Sequence, residues 1–191
     1  MSIDPGAYII QNVTHRNFAA QSAGTTVVAY TESRSRSITS VTSSGEADLN
    51  LRKVWSISRL NNDKYTIRNI ETNEYAATST FPAIEQSIIT TQALRQWDIK
   101  ETAVRGRYVI CTNRAKSDLY WGLTDDELDT PITLRDSPNT PSNQWELTKV
   151  DLWVLLGHMR AKLVGLRHDY VELQNAYSEL SKRENDKCVT M

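Results

Sequence analysis

Apolar and polar residues alternate through much of the first 150 positions, as they do in strands with one buried face. Three segments with this pattern open on a tyrosine: Tyr8–Val13, Tyr65–Ile70 and Tyr108–Cys111. Each opening is followed by a triplet that begins with an aromatic residue: Phe18–Ala20, Tyr75–Ala77 and Tyr120–Gly122. Each segment then closes on a strand that starts at a tryptophan: Trp55, Trp97 and Trp145. The same motif therefore occurs three times.

A threefold repeat of short strands predicts a closed barrel. A unit of about four short strands cannot bury its apolar face alone, whereas three units around one axis share a core and leave few open edges. A three-bladed propeller has the same repeat count, but propellers usually have more blades. The prediction is an all-β domain over residues 1–150, a β-trefoil with the three closing tryptophans at equivalent buried positions.

From Leu152 the apolar period changes from 2 to 3.5 residues. The apolar stripe comprises Leu152, Leu156, Met159, Leu163, Leu166, Tyr170, Leu173, Tyr177 and Leu180. A sustained heptad stripe predicts that residues 151–191 contain a coiled-coil α-helix with a disordered end. Gly157 and Gly165 each cost about 1 kcal/mol of helix propensity. The helix therefore needs a partner, which we expect to be a second copy of itself. A helix lying on the barrel is the alternative.

The number and orientation of the paired helices stay open at this stage. In a parallel pair each g residue faces the e residue five positions later on the other chain, which brings Lys162 close to Arg167. Leucine at both a and d positions does not select two strands. These features favour a trimer, a tetramer or an antiparallel arrangement over a parallel dimer.

Composition excludes several partners. The 191 residues include 22 basic and 23 acidic side chains, so the net charge of −1 supplies no field for holding nucleic acid. No apolar run is long enough for membrane insertion, and the first residues lack the features of a secretion signal. Cys111 and Cys188 do not form a disulfide framework. We expect a cytoplasmic protein.

The sequence predicts no enzyme activity, metal or cofactor. It contains no metal-binding Cys or His motif, no nucleophile elbow and no phosphate-binding glycine loop. His15, His158 and His168 fall in different predicted elements or ten residues apart, which does not place them on one metal. We expect them to be solvated.

Several ordered motifs resemble the fungal ricin-B-like β-trefoil proteins from Ile3 to about Lys149. They are the Pro5-Gly6 opening, Tyr65–Asn69, Arg95–Thr102, Tyr120–Leu123 and Asn143–Trp145. The resemblance implies a non-catalytic sugar-binding module, often cytosolic. The related fungal trefoil protease inhibitors use exposed loops instead.

The chain departs from the lectin pattern in two places. The Gln-x-Trp signature is not intact, because the residues two before the closing tryptophans are Lys53, Arg95 and Asn143. The aspartate that clamps galactose in the resembled family is also missing, since its expected places hold Ala20, Ala77 and Gly122. Repeats 1 and 2 therefore lack the usual carboxylate.

Repeat 3 is the predicted ligand site. Trp121 stands where its sister repeats have alanine, so we expect it to be a stacking platform, with Asp125, Asp126 and Asn143 as polar partners. The alternative is that Trp121 fills a gap in the barrel.

Together these features predict a carbohydrate-binding module made multivalent by its helix, since linked sites gain avidity on a polyvalent glycan. One alternative is a protease inhibitor that acts through the loop Thr31–Asn50 or through Phe81–Ala83. Another is a structural oligomer that has lost sugar binding.

Overall fold

The computed structural model describes residues 3–31, 49–112 and 117–189, with side chains as far as residue 178. The chain divides into two compact units, Met1–Val150 and Asp151–Met191. The described strands are β1 (Gly6–Asn12), β2 (Phe18–Gln21), β3 (Val27–Tyr30), β4 (Val54–Arg59), β5 (Tyr65–Asn69), β6 (Tyr75–Ala77), β7 (Ile89–Thr91), β8 (Asp98–Glu101), β9 (Arg107–Thr112), β10 (Leu119–Gly122), β11 (Thr133–Arg135) and β12 (Trp145–Lys149).

Strand pairing closes the first unit into a barrel. β1 pairs with both β12 and β4, while β4 pairs with β5, and β9 pairs with both β8 and β12. Each opening tyrosine lies opposite the closing tryptophan of its own repeat, and the pairs are Tyr8 with Trp55, Tyr65 with Trp97, and Tyr108 with Trp145. This register is the threefold equivalence that the sequence predicts.

Three further hairpins, β2–β3, β6–β7 and β10–β11, are joined to one another by single bridges. Thr26 pairs with Ile89, Ser87 with Thr133, and Val28 with Pro131. Each bridge joins two different repeats. The hairpins therefore form a ring in which every repeat touches both of the others.

The tryptophans confirm the threefold arrangement at the level of single atoms. Each closing indole N–H donates to the carbonyl oxygen of the middle triplet residue, from Trp55 to Ala19 at 2.8 Å, Trp97 to Ala76 at 2.8 Å and Trp145 to Trp121 at 3.0 Å. All three indoles are buried in one core cluster. The prediction of a β-trefoil is confirmed.

The second unit is one α-helix, α1 (Leu152–Val189), of 38 residues. The Asp151 carboxylate accepts the Trp153 N–H at 2.7 Å, which caps the first turn. Within the described side chains, the heptad stripe from Leu152 to Tyr177 is between 41% and 75% exposed, and Leu180 lies outside them. No helix in the described part of the chain is long and apolar enough to cross a membrane. Self-association through this stripe remains a prediction.

Candidate functional site

Trp121 is not a stacking platform, and that prediction is wrong. Its side chain is 0% exposed and packs edge to face against Trp97 and Trp145, with ring centroids 5.3 and 6.3 Å apart. The sister positions, Ala19 and Ala76, are fully buried in the same cluster. Because the three positions share one core, a single indole from one repeat fills space that the two alanines leave. The alternative of a core tryptophan is the correct one.

Asn143 is also committed to the fold rather than to a ligand. It ends a short 3-10 helix, Pro141–Asn143, is 6% exposed, and donates from Nδ2 to the Ser137 carbonyl at 2.6 Å. A Cβ at Gly122 would collide with Asn143 Oδ1 and the Arg135 side chain. The place where the resembled family carries its clamp aspartate is therefore filled. Asn143 was wrongly predicted to be an accessible ligand partner.

The two acids predicted at the site have different roles. Asp125 Oδ1 accepts hydrogen bonds from the Thr130 hydroxyl and the Glu127 N–H, and these bonds hold the pKa of its carboxyl below the usual value. Asp125 thus closes the β10–β11 loop. Asp126 has an exposed side chain, and its carbonyl accepts a hydrogen bond from Asn17 Nδ2 at 3.0 Å. Neither acid faces an exposed Trp121 ring, so the predicted site does not assemble.

The β6–β7 loop of repeat 2 has the most exposed large apolar side chain in the described part of the chain, Phe81, at 86%. The loop has a defined conformation, because Ser79 Oγ donates to the Phe81 carbonyl at 2.9 Å and Gln86 Oε1 accepts the Ala83 N–H at 3.2 Å. Phe81 is therefore an aromatic ring presented to solvent on an ordered loop.

Strand β11 of repeat 3 anchors the base of this loop. The Glu85 N–H donates to the Leu134 carbonyl at 2.8 Å, and the Leu134 N–H donates to the Gln86 carbonyl at 2.9 Å. Glu85 has a φ of 65°, an unusual conformation for a residue other than glycine. The loop of one repeat thus lies along a strand of the next.

A guanidinium and a carboxylate meet at that junction. Arg135 Nη1 lies 3.3 Å from Glu85 Oε1, and Arg135 Nη2 donates to the Thr124 hydroxyl at 2.8 Å. Glu85 is 76% exposed, so a surface ion pair of this kind is weak and open to competition from a ligand. We call Phe81, Glu85, Arg135 and Thr124 the loop site. It offers an apolar ring, an acceptor and a donor at one junction of two repeats.

Sequence reasoning noticed Phe81 only as part of an inhibitor loop and missed Glu85 and Arg135. Those two residues are 50 positions apart, and only the pairing of the β6–β7 loop with β11 brings them together. No local motif signals this contact. The unusual density of apolar residues in the loop, from Phe81 to Ile84, was the one available signal.

In repeats 1 and 2, the positions equivalent to Asn143, two before the closing tryptophan, are the cationic residues Lys53 and Arg95. Lys53 is 2% exposed, its Nζ lies 4.7 Å from the centre of the Phe18 ring, and burial lowers its pKa. Arg68 stacks on Tyr75 at 5.8 Å. Arg95 Nε is buried without a hydrogen-bond partner among the described residues. Neither repeat presents the carboxylate of a galactose clamp at its triplet. The inhibitor loop Thr31–Asn50 lies mostly outside the described residues.

Glu74 connects repeats 1 and 2 through polar contacts. Its Oε2 accepts from Gln21 Nε2 at 2.9 Å and from the Thr90 hydroxyl at 2.7 Å, and Thr72 donates to Gln21 Oε1 at 2.6 Å. The bond from Thr90 is the main reason why the pKa of Glu74 is lowered, followed by the bond from Gln21. These side chains satisfy one another, so they stabilise the seam between the repeats. Among the described residues, no group of three or more His, Cys, Asp or Glu is placed to hold a metal ion.

Comparison with known proteins shows the fold and no more. No family model and no curated protein sequence matches the chain. Similar solved structures include the Macrolepiota procera ricin B-like lectin in complex with lactose, at a TM-score of 0.64 and 15% identity, covering 78% of this chain and 100% of that one. The structure of the Rhizoctonia solani agglutinin has a TM-score of 0.63 and 14% identity, and the match covers 78% of this chain and 99% of that one. A designed threefold symmetric protein, ThreeFoil, has a TM-score of 0.61 and 12% identity, and the match covers 76% of this chain and 99% of that one. The chain therefore has the β-trefoil fold of these structures.

Proposed function

We propose that the protein is a non-catalytic, carbohydrate-binding module whose helix makes it multivalent. Solved structures of the same architecture include lectins, one of them described in complex with lactose. The observation that carries the proposal here is the loop site, in which Phe81 is 86% exposed on the same loop as the accessible carboxylate of Glu85. We also propose that the protein is cytoplasmic and works without a cofactor.

The loop site has the chemistry that a sugar requires. A pyranose presents a face of C–H groups that stacks on an aromatic ring, and its hydroxyls need charged or polar partners. Phe81 supplies the ring, Glu85 accepts hydrogen bonds from hydroxyls, and Arg135 donates to them. Because Glu85 and Arg135 already pair at 3.3 Å, they are positioned before a ligand arrives.

Multivalency follows from the exposed stripe of α1. A single shallow site binds a sugar weakly, whereas two linked sites on one glycan surface gain about 10²- to 10⁴-fold in avidity. The helix contains Gly157 and Gly165 and exposes its heptad stripe from Leu152 to Tyr177, so it gains stability by pairing with another copy.

A glycan array with the full-length protein tests the proposal, followed by titration of the best ligand against variants. Phe81→Ala and Glu85→Gln should each lower the affinity of a single site about tenfold. Leu128→Ala is the matched control, because Leu128 is a 60% exposed apolar residue on the β10–β11 loop of repeat 3. An array without any bound glycan, or equal losses for Phe81→Ala and Leu128→Ala, would contradict the proposal.

One observation also favours a protease inhibitor as a second candidate. The segment Phe81-Pro82-Ala83 is an exposed loop held at its base by main-chain hydrogen bonds to β11, which suits insertion into a cleft. A panel of serine and cysteine proteases, assayed with the wild type and with Phe81→Ala, separates the two functions. Inhibition that depends on Phe81 in the absence of glycan binding would favour the inhibitor.

A further inference from the structure

The charges of α1 are segregated between residues 152 and 180, whereas its last turns, 181–189, carry charges of both signs. From Leu152 to His168 the charged residues are Arg160, Lys162 and Arg167, with no Asp or Glu. From 169 to 180 they are Asp169, Glu172 and Glu179, with no Lys or Arg. The first half of the stripe therefore lies in a helix segment of charge +3 and the second half in a segment of charge −3.

We infer that two copies of α1 pair antiparallel, so that the basic half of each helix lies along the acidic half of the other. This inference rests on the proposed self-association and fixes its geometry. A parallel pair would place basic against basic and acidic against acidic at distances comparable to the Debye length of about 8–10 Å.

The apolar stripe is compatible with this orientation over its whole described length. In antiparallel coiled coils a residues pack in layers with d residues of the other helix. Four kinds of layer form when Leu163 faces Leu166 of the second copy, and symmetry makes each of them twice. The layers are Leu156 with Leu173, Leu163 with Leu166, Tyr170 with Met159, and Tyr177 with Leu152. Every one of these side chains is exposed in the single chain.

The flanking charges also favour antiparallel pairing. Lys162 at g then lies near Asp169 of the second copy, and symmetry makes this contact twice. Arg160 lies near Arg167 of the second copy, also twice, so these repulsions offset the two attractions one for one. A parallel pair instead places Lys162 near Arg167 twice and has no compensating opposite charges among its described e and g residues. The balance of these contacts is better in the antiparallel pair.

The two orientations place the trefoils differently. In the antiparallel register Leu152 is level with Tyr177 of the second copy, so the two helix N-termini are about 38 Å apart along the axis at 1.5 Å per residue. In a parallel pair the two N-termini are adjacent. The antiparallel pair therefore holds the two junctions between trefoil and helix at opposite ends, whereas a parallel pair holds them side by side.

Spin labels on the full-length protein measure the orientation directly. Ser178→Cys, in a Cys188→Ser background, places a label on an exposed position outside the stripe, and Cys111 is fully buried. The antiparallel pair should give a separation of about 40 Å along the axis for this label. A parallel pair should give about 20 Å or less. Val164→Cys lies at the centre of the antiparallel register and is the control, since its separation is short in both arrangements.

Sedimentation of the same samples separates the two failures. An associated protein with the 40 Å separation supports the inference. An associated protein with only short Ser178 separations overturns the antiparallel orientation and leaves the multivalent proposal intact. A monomer at micromolar concentration overturns both.

A charge reversal gives a second and independent test. Lys162→Glu places one glutamate near Asp169 of the other copy, twice in the pair, so the antiparallel pair should dissociate about tenfold more readily at low salt. In a parallel pair the same change creates an attraction to Arg167, and association should strengthen. Arg105→Glu, on an exposed trefoil hairpin, controls for net charge. Strengthened association of Lys162→Glu would overturn the inference.

Discussion

Replacing Trp121 by alanine distinguishes a core residue from a ligand platform. The indole is fully buried and meets Trp97 and Trp145 edge to face. Removal of a core tryptophan costs about 3–5 kcal/mol, because the neighbours cannot collapse into the space, and each aromatic pair contributes about 0.5–1.5 kcal/mol of that loss. The Trp121 N–H has no hydrogen-bond partner among the described residues, so its removal gives back part of a desolvation cost of about 1–3 kcal/mol. We therefore expect a loss of about 3 kcal/mol.

Urea unfolding of the full-length protein at fixed concentration measures this loss. A domain of this size is stable by about 5–15 kcal/mol, so the variant should fold and unfold at a lower midpoint. Trp121→Phe is the matched variant, since it keeps a ring but removes the unpartnered N–H, and it should lose less than half as much. An unchanged midpoint for Trp121→Ala, together with lost glycan binding, would refute the assignment of Trp121 to the core.

Three further predictions concern the helix, the filled clamp position and the buried thiol. Leu166→Pro removes a helix hydrogen bond at a cost of about 3 kcal/mol or more. The variant should therefore sediment without self-association, while the near-ultraviolet circular dichroism of the trefoil is retained. An unchanged sedimentation coefficient would contradict this prediction. Gly122→Asp collides with Asn143 and Arg135, so it should destabilise the protein by about 1–3 kcal/mol in thermal unfolding without new galactose binding. A stable variant that gains galactose binding would show the position to be open. Burial raises the pKa of the Cys111 thiol from 9.0 to about 11, so the folded state keeps a proton that the unfolded chain has lost. The stability that this thiol contributes is complete below pH 9 and is lost as the pH rises to 11. In Cys111→Ala, the slope of the free energy of unfolding against pH should therefore be shallower by the equivalent of up to one proton. Equal slopes for the wild type and the variant would argue against this account.

The barrel was predictable because its inward positions repeat. The opening tyrosines and closing tryptophans recur at similar spacings, and their cross-strand register reproduces that order in all three repeats. Burial at such positions depends on residue type and local period, which a sequence displays directly. The helix was predictable for the same reason, since its stripe is a local pattern.

The site was not predictable, because its parts depend on how repeats meet. Trp121 breaks the symmetry of the triplets, and a departure from symmetry has two explanations that a sequence does not separate. The residue that departs from symmetry is either an exposed surface residue or a single large side chain that fills the core shared by the three repeats. The structure decides for the second, since Trp121 touches tryptophans of two repeats. Arg135 and Glu85 meet only after the barrel has closed.

The proposed loop site and the fold are therefore coupled. Phe81 and Glu85 come from repeat 2, whereas Arg135 and Thr124 come from repeat 3, and main-chain bonds between the β6–β7 loop and β11 hold the two sets together. A galactose clamp draws its residues from one repeat, whereas the loop site draws them from two. A site shared by two repeats exists only in the closed barrel. Any change that opens the junction of repeats 2 and 3 should then reduce ligand binding before the remaining strands unfold.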